Sequence, residues 1–237
     1  MIYSFSGRIR YSEVGEDGRL TLYSLINYFQ DCSTFHAEDS AVGMGWMAKK
    51  HLAWVLAAWQ IRVEEYPALG DRVLTSTWAY GFRSCLGYRN YSMETEDGRR
   101  LAIANSEWVL MDLQKGRMVK VPQELANAYG IEADHRLTED LGSRKIQVPA
   151  QGEDQAPFDV QEYHLDTNHH VNNGQYIQMA AAYLPPDLKI RSMRAEYKMQ
   201  AHLGDRIYPR VSQEEEGYFV TLNQEDGTPY FIAELRK

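Results

Sequence analysis

The chain repeats itself, and that repetition limits its fold more than any other feature of its 237 residues. Ile61-Arg62-Val63-Glu64-Glu65-Tyr66 precedes Leu69-Gly70-Asp71-Arg72-Val73, and Met193-Arg194-Ala195-Glu196-Tyr197 precedes Leu203-Gly204-Asp205-Arg206-Ile207. A Glu-Asp-Gly turn follows in each half, at 96–98 and at 225–227. Matched order at a long period is what a duplicated unit leaves behind, with small length changes absorbed in turns.

The order of elements repeats as well. Phe5 to Tyr11 reads as a strand, broken by Gly15-Glu16-Asp17-Gly18. Thr21 is placed to cap a helix whose buried face carries Leu22, Leu25, Ile26, Phe29 and Cys32, and which the spacing continues toward Val42 and the Gly43-Met44-Gly45 breaker. Strands follow at 54–63, 72–80, 85–95 and 101–112, separated by turn residues as in an antiparallel meander. The stretch 123–157 loses periodicity and reads as a linker with a short helix near 125–129. A strand to Tyr163, a polar loop, a helix ended by Pro185-Pro186, and strands at 191–197, 206–211, 218–223 and 229–235 complete the second half. The expected division is therefore 1–122, a linker at 123–157, and 158–237. A unit that buries one sheet face on one helix is α+β, and pairing two units edge to edge protects exposed strands.

Composition removes several function classes. A net charge of −8 argues against general nucleic-acid binding, which needs a basic footprint. Lys189, Arg191, Arg194 and Lys198, or Lys49-Lys50, read better as solvated faces than as a docking patch. No apolar run is long enough to span a membrane, and Met1 to Glu13 lacks a signal-peptide core, so the expected location is cytoplasmic. Cys32 and Cys85 have no framework of spacings and read as reduced thiols. Gly43-x-Gly45-x-x-Ala48 follows a helix rather than a strand, which argues against a dinucleotide site.

The chemistry is concentrated in His164-Leu165-Asp166-Thr167-Asn168-His169-His170-Val171-Asn172-Asn173-Gly174, which opens the second helix. Aligning Tyr28-Phe29-Gln30 with Tyr176-Ile177-Gln178 puts Gly18, Leu20 and Leu22 at Asp166, Asn168 and His170; aligning Tyr11 with Tyr163 puts Val14, Glu16 and Gly18 there. Neither register preserves the trio, which favours chemistry over a shared fold requirement. Turn and cap formation by Asp and Asn is the competing reading. No Gly-x-Ser-x-Gly elbow supports a serine hydrolase. His164, Asp166, His169 and His170 are metal donors by type, yet their spacing matches no standard ligand set. Metal-free acyl hydrolysis fits best, with a carboxylate or imidazole activating water beside backbone N–H groups at a helix start.

Asp166-x-Asn168-x-His170-Val171-Asn172-Asn173, followed by Tyr176-Ile177, resembles the active-site segment of the acyl-acyl carrier protein (acyl-ACP) thioesterases. Tyr11-Ser12-Glu13-Val14-Gly15, Leu25-Ile26-Asn27-Tyr28-Phe29-Gln30-Asp31, Trp54-Val55, Tyr66-Pro67-x-x-Gly70-Asp71, Trp108-Val109-Leu110-Met111 and Val121-Pro122 extend the likeness through the first half. The resemblance implies a tandem (double) hotdog fold and no cofactor or metal. It further implies hydrolysis of fatty acyl thioesters of acyl carrier protein, which ends fatty acid elongation.

It also assigns Asp166, Asn168 and His170 as catalytic, with N–H groups of Asn172, Asn173 and Gly174 at the oxyanion. Where the plant relatives carry a further catalytic Glu followed by Cys, this chain has Gln200-Ala201. Gln200 cannot act as a carboxylate base: either Asp166 and His170 suffice and Gln200 positions water, or catalysis is weakened, and an ordinary strand residue is the competing reading. Phe29, Met44, Trp46, Met47, Trp54 and Trp59 are candidate acyl-pocket residues in the first half, soft or flat side chains suited to an alkyl chain, though ordinary core is the commoner role for such side chains. The rival functions are acyl-coenzyme A hydrolysis and an acyl-binding protein with weakened catalysis. The expected partner is acyl carrier protein, with a homodimer among the assemblies open to the chain.

Overall fold

In the computed structural model, which describes residues 1–186 and 188–237, Thr21 caps the first helix as its spacing predicts. Its Oγ1 accepts the Ser24 N–H at 3.1 Å, and α1 spans Leu22–Asp39. The helix stops short of Val42. Ala41 turns to φ 59°, Ala41 N–H bonds Glu38 C=O and Val42 N–H bonds Ala37 C=O, each at 3.0 Å, a paired closure that satisfies the last carbonyls. The expected breaker instead opens a new helix, α2 (Met44–Lys49), with Gly43 at its N-cap. Glu38 Oε1 accepts Met44 N–H at 2.7 Å, and a Cβ on Gly43 would lie 2.2 Å from that carboxylate. Close approach requires this glycine.

The chain divides into Met1–Ala57 with Ile61–Leu141, and Ala58–Gln60 with Gly142–Lys237. The first unit contains β1 (Tyr3–Arg8), α1, α2, most of β2 (Leu52–Val63), β3 (Arg72–Arg83), β4 (Leu86–Thr95), β5 (Arg100–Asp112), β6 (Arg117–Met118) and α3 (Gln123–Tyr129). Its sheet order is β1-β3-β4-β5-β2, and α1 packs across β3 and β1. Leu25, Ile26, Phe29 and Cys32 lie on the buried face of α1, all at or below 1% exposure, so the helical period does mark the core.

The second unit contains β7 (Glu153–Asp154), β8 (Phe158–Asp159), α4 (Asn173–Ala181), β9 (Ser192–Tyr197), β10 (Arg206–Glu214), β11 (Gly217–Asn223) and β12 (Pro229–Arg236). Its strands run β9-β12-β11-β10-β7, with β8 also on β10, and α4 packs on β11 and β12. The four long strands pair antiparallel. Each unit is thus a helix on an antiparallel sheet, the α+β arrangement expected.

Three further stretches differ from the sequence expectation. The strand read as running from Phe5 to Tyr11 spans Tyr3–Arg8, because Glu13 Oε2 takes the Arg10 N–H at 2.8 Å and Tyr11–Glu13 winds into a 3-10 turn. The strand read as reaching Tyr163 ends at Asp159, because Gln161 N–H is taken by His164 Nδ1 at 2.9 Å and Glu162–His164 winds into a 3-10 turn. Within 123–157, Leu125, Ala126 and Tyr129 of α3 pack with Val42, Met47, Ala79 and Leu110, and Ile146 packs with Phe219 and Ile232. The segment contributes to both cores. No helix among the described residues is long and apolar enough to cross a membrane.

The first unit also buries a polar cluster between α1, which carries His36, and the sheet, which carries Thr77 and Arg89. Arg89 Nη1 reaches His36 Nδ1 at 3.0 Å and Thr77 Oγ1 at 3.1 Å, while Tyr3 stacks on the His36 ring. Since a guanidinium only donates, His36 Nδ1 accepts and the ring is neutral. Burial, then the neighbouring Arg89 charge, holds its pKa down to about 4. The unfolded chain, titrating near the ordinary value of about 6.5, binds the extra proton first. Stability is therefore full above about pH 6.5 and falls toward pH 4, at most about 1.4 kcal/mol per pH unit from this group. Urea unfolding between pH 7 and pH 5 should show that slope, and His36→Gln should flatten it; an unchanged slope in the variant would refute the assignment.

Candidate active site

The polar loop is a turn that the fold builds twice. In the second unit Leu165 pairs with Val171, Asp166 N–H bonds His170 C=O at 2.8 Å, and His169 N–H bonds Asp166 C=O at 3.1 Å. In the first, Val14 pairs with Leu20, Gly15 N–H bonds Arg19 C=O at 2.9 Å, and Gly18 N–H bonds Gly15 C=O at 2.9 Å. The match continues outward: Asn172 N–H to His164 C=O repeats Thr21 N–H to Glu13 C=O, and Val171 N–H to Ala201 C=O repeats Leu20 N–H to Pro67 C=O. His169, at φ 61°, occupies the left-handed position of Gly18, at φ 71°.

These bonds correct both sequence registers. Asp166, Asn168 and His170 correspond to Gly15, Asp17 and Arg19. The first copy closes the same turn with no carboxylate at the Asp166 position and no imidazole at the His170 position. Asp166 does serve the turn locally, its Oδ1 accepting Asn168 N–H at 2.8 Å and His170 N–H at 3.4 Å. In the first copy Asp17 Oδ1 takes the Arg19 N–H at 3.0 Å instead. Either position can brace the loop.

The three side chains belong to one turn. Asp166 and His170 are half-buried and Asn168 is exposed. Burial first, then His202, and then His169 hold the His170 pKa below the ordinary imidazole value, while Asp166 opposes them. A neutral ring near neutral pH can accept a proton. His164 is buried, and its Nδ1 bond to Gln161 N–H repeats Glu13 Oε2 on Arg10 N–H at 2.8 Å. Its role is to close the 3-10 turn. Among the described residues no group of three or more His, Cys, Asp or Glu side chains is arranged to hold a metal ion.

Other candidates lie elsewhere or are engaged. Asn172 N–H goes to His164 C=O, and Gly174 N–H goes to Asn172 Oδ1 at 2.8 Å, so two N–H groups expected at the oxyanion are spent inside the turn and the helix cap. Gln200 is exposed in the chain beyond the end of β9, not on the strand. Its neighbour Ala201 holds the turn, giving N–H to Tyr176 Oη at 2.8 Å and accepting Val171 N–H at 2.9 Å. In the first unit Phe29 is fully buried against Tyr91, and Met47, Trp46 and Trp54 join the α3 cluster, while Met44 is exposed. Trp59 is fully buried.

One neighbour escapes the sequence reading. The His202 ring lies edge to face with His170, 4.7 Å between centroids and 74° between planes. The repeat carried the signal, since Arg19 bridges Ala68 immediately before Leu69-Gly70-Asp71, as His202 precedes Leu203-Gly204-Asp205. Asn172 caps α4 through its side chain, a contribution separate from chemistry. Asn172→Ala should lower the free energy of unfolding by about 1 kcal/mol, and Asn172→Ser should recover most of it, by chemical denaturation.

The chain matches the model of the acyl-ACP thioesterase N-terminal domain over residues 2–129 and that of the C-terminal domain over residues 146–228. It is 28% identical over 217 residues to the chloroplastic palmitoyl-acyl carrier protein thioesterase of Arabidopsis thaliana, covering 84% of this chain and 52% of that protein. The chain thus spans about half the length of the curated relative. A putative oleoyl thioesterase from Lactobacillus plantarum superposes with TM-score 0.87 at 21% identity, over 100% of this chain and 95% of that one. A 12:0-ACP thioesterase from Umbellularia californica gives TM-score 0.87 at 20% identity, over 99% and 96%. These likenesses establish the tandem hotdog fold. With both halves matched in order by the two domain models, the chain belongs to the acyl-ACP thioesterase family.

Proposed function

We propose that the chain hydrolyses fatty acyl thioesters of acyl carrier protein, releasing free fatty acid and the carrier thiol. The observation that carries this reading is the repeated turn. Its backbone bonds recur in both units, yet only the second copy places Asp166 and His170 on that frame. Family membership supplies the substrate class.

In this mechanism neutral His170 takes a proton from water as the water oxygen attacks the thioester carbonyl. A neutral imidazole is a stronger base than a carboxylate. Asp166 stands beside the imidazolium that forms and stabilises its charge. The Asn168 side-chain amide donates to the carbonyl oxygen. The positive end of α4 adds a favourable field without requiring the N–H groups that the cap has used. Collapse of the tetrahedral intermediate breaks the carbon–sulfur bond, and His170 returns the proton to the departing thiolate. Gln200, exposed beside the Ala201 clamp, suits the placement of water rather than its activation.

Free-acid release should be measured on a panel of acyl carrier protein thioesters, with matched acyl-coenzyme A. His170→Ala and Asp166→Asn should each lower turnover by at least about a hundredfold with unfolding midpoints within a few degrees of the parent. Because the His170 pKa is depressed, parent activity should hold from neutral pH to below about pH 6.5 before falling. Turnover retained by either variant would defeat this mechanism. No release from any acyl carrier protein thioester would defeat the function, and a preference for coenzyme A would reassign its carrier.

A further inference from the structure

The two positions that the fold brings together, Arg19 and Ala68 in the first unit, are both histidine in the second. In the first unit Asp71 Oδ2 accepts Ala68 N–H at 2.8 Å, and in the second Asp205 Oδ2 accepts His202 N–H at 2.9 Å. This aspartate is therefore part of the frame. Only in the second unit does it also face an imidazole, with His202 Nδ1 3.8 Å from Oδ2 and Tyr230 Oη donating to the same oxygen at 3.3 Å. The series His170, His202, Asp205 and Tyr230 runs from the turn to β12. We propose that His202, tethered by Asp205, is a positioning residue for His170: its ring holds the His170 imidazole in the orientation that accepts the proton of water.

This inference rests on the hydrolytic reading above and adds a residue to it. The groups facing His170 are Asp166 and His169 from its own turn and His202 from the segment after β9. Asp166 favours the protonated ring, whereas His202 and His169 disfavour it. Two effects of His202 are separable. Its flat ring fixes the place of His170 by aromatic packing, and its charge, when protonated, discourages a second charge alongside. Gln200 is exposed, and the side chain that meets the His170 ring stands two positions later, at His202.

The test uses the intact chain with His202→Ala, His202→Phe and His202→Asn. His202→Ala should lower kcat about tenfold with KM little changed, and His202→Phe, which keeps a ring, should restore most of that loss above pH 7. All three should move the acid limb of kcat/KM to higher pH, because the opposing charge is gone. A purely structural role would leave that limb in place. In parallel, proton NMR titration of the His170 Cε1–H should show a higher midpoint in His202→Asn than in the parent, whether or not thioester is turned over. Parent-like kcat in His202→Ala, a loss that His202→Phe fails to restore, or an unchanged midpoint together with pH profiles that superimpose after scaling, would overturn the proposal while leaving hydrolysis intact. A parent that shows the NMR coupling but hydrolyses no thioester would overturn the functional reading instead.

Discussion

The hydrogen bond from Val171 N–H to Ala201 C=O ties the polar turn to a segment 30 residues away, and the site depends on that tie. It fixes the turn against the chain after β9, so that Tyr176 Oη, Ala201 and His202 all meet the same few residues. It adds a long-range anchor to a turn that the Leu165–Val171 pair and the bond from Asp166 N–H to His170 C=O already close. Backbone bonds are well suited to this task because they are obligatory and indifferent to side-chain identity. That indifference lets the first unit keep the frame with Gly15, Asp17 and Arg19 in the corresponding places.

Duplication thus separates what the turn requires from what varies on it within one molecule. What recurs, the 3-10 turn, its side-chain lock, the left-handed residue and the helix cap, belongs to folding. What does not recur, Asp166 and His170 in place of Gly15 and Arg19, is not required by the turn. His164 falls on the first side of that line despite its chemical type, because it does the work of Glu13. Asp166 lies on both sides, bracing the turn with Oδ1 while standing beside His170.

The two units use buried polarity differently. In the first, His36 of α1 and Arg89 of β4 are buried and share a bond within the core, where a neutral ring avoids placing two charges together. In the second, His170 is only half-buried, enough to favour its neutral form while leaving the turn open to water. The two neutral rings thus differ in burial, His36 being fully buried and His170 half-buried.

Much of this was legible from the sequence. Thr21 as a cap, the buried face of α1, the positions of the long strands and the concentration of chemistry at 164–174 all follow from local spacing, which adjacent residues express directly. The two halves were legible from the repeated Leu-Gly-Asp and Glu-Asp-Gly turns. The register of the two helix openings was not, since matching Tyr28 to Tyr176 follows side chains, whereas the turn follows backbone bonds such as those to Pro67 and Ala201. Nor were the capture of the Asn172 and Gly174 N–H groups or the meeting of His170 with His202. The sequence alone determined which elements form and where reactive groups collect, because those are short-range properties. Only the tertiary structure decided which of those groups face one another, because that depends on bonds between segments far apart along the chain.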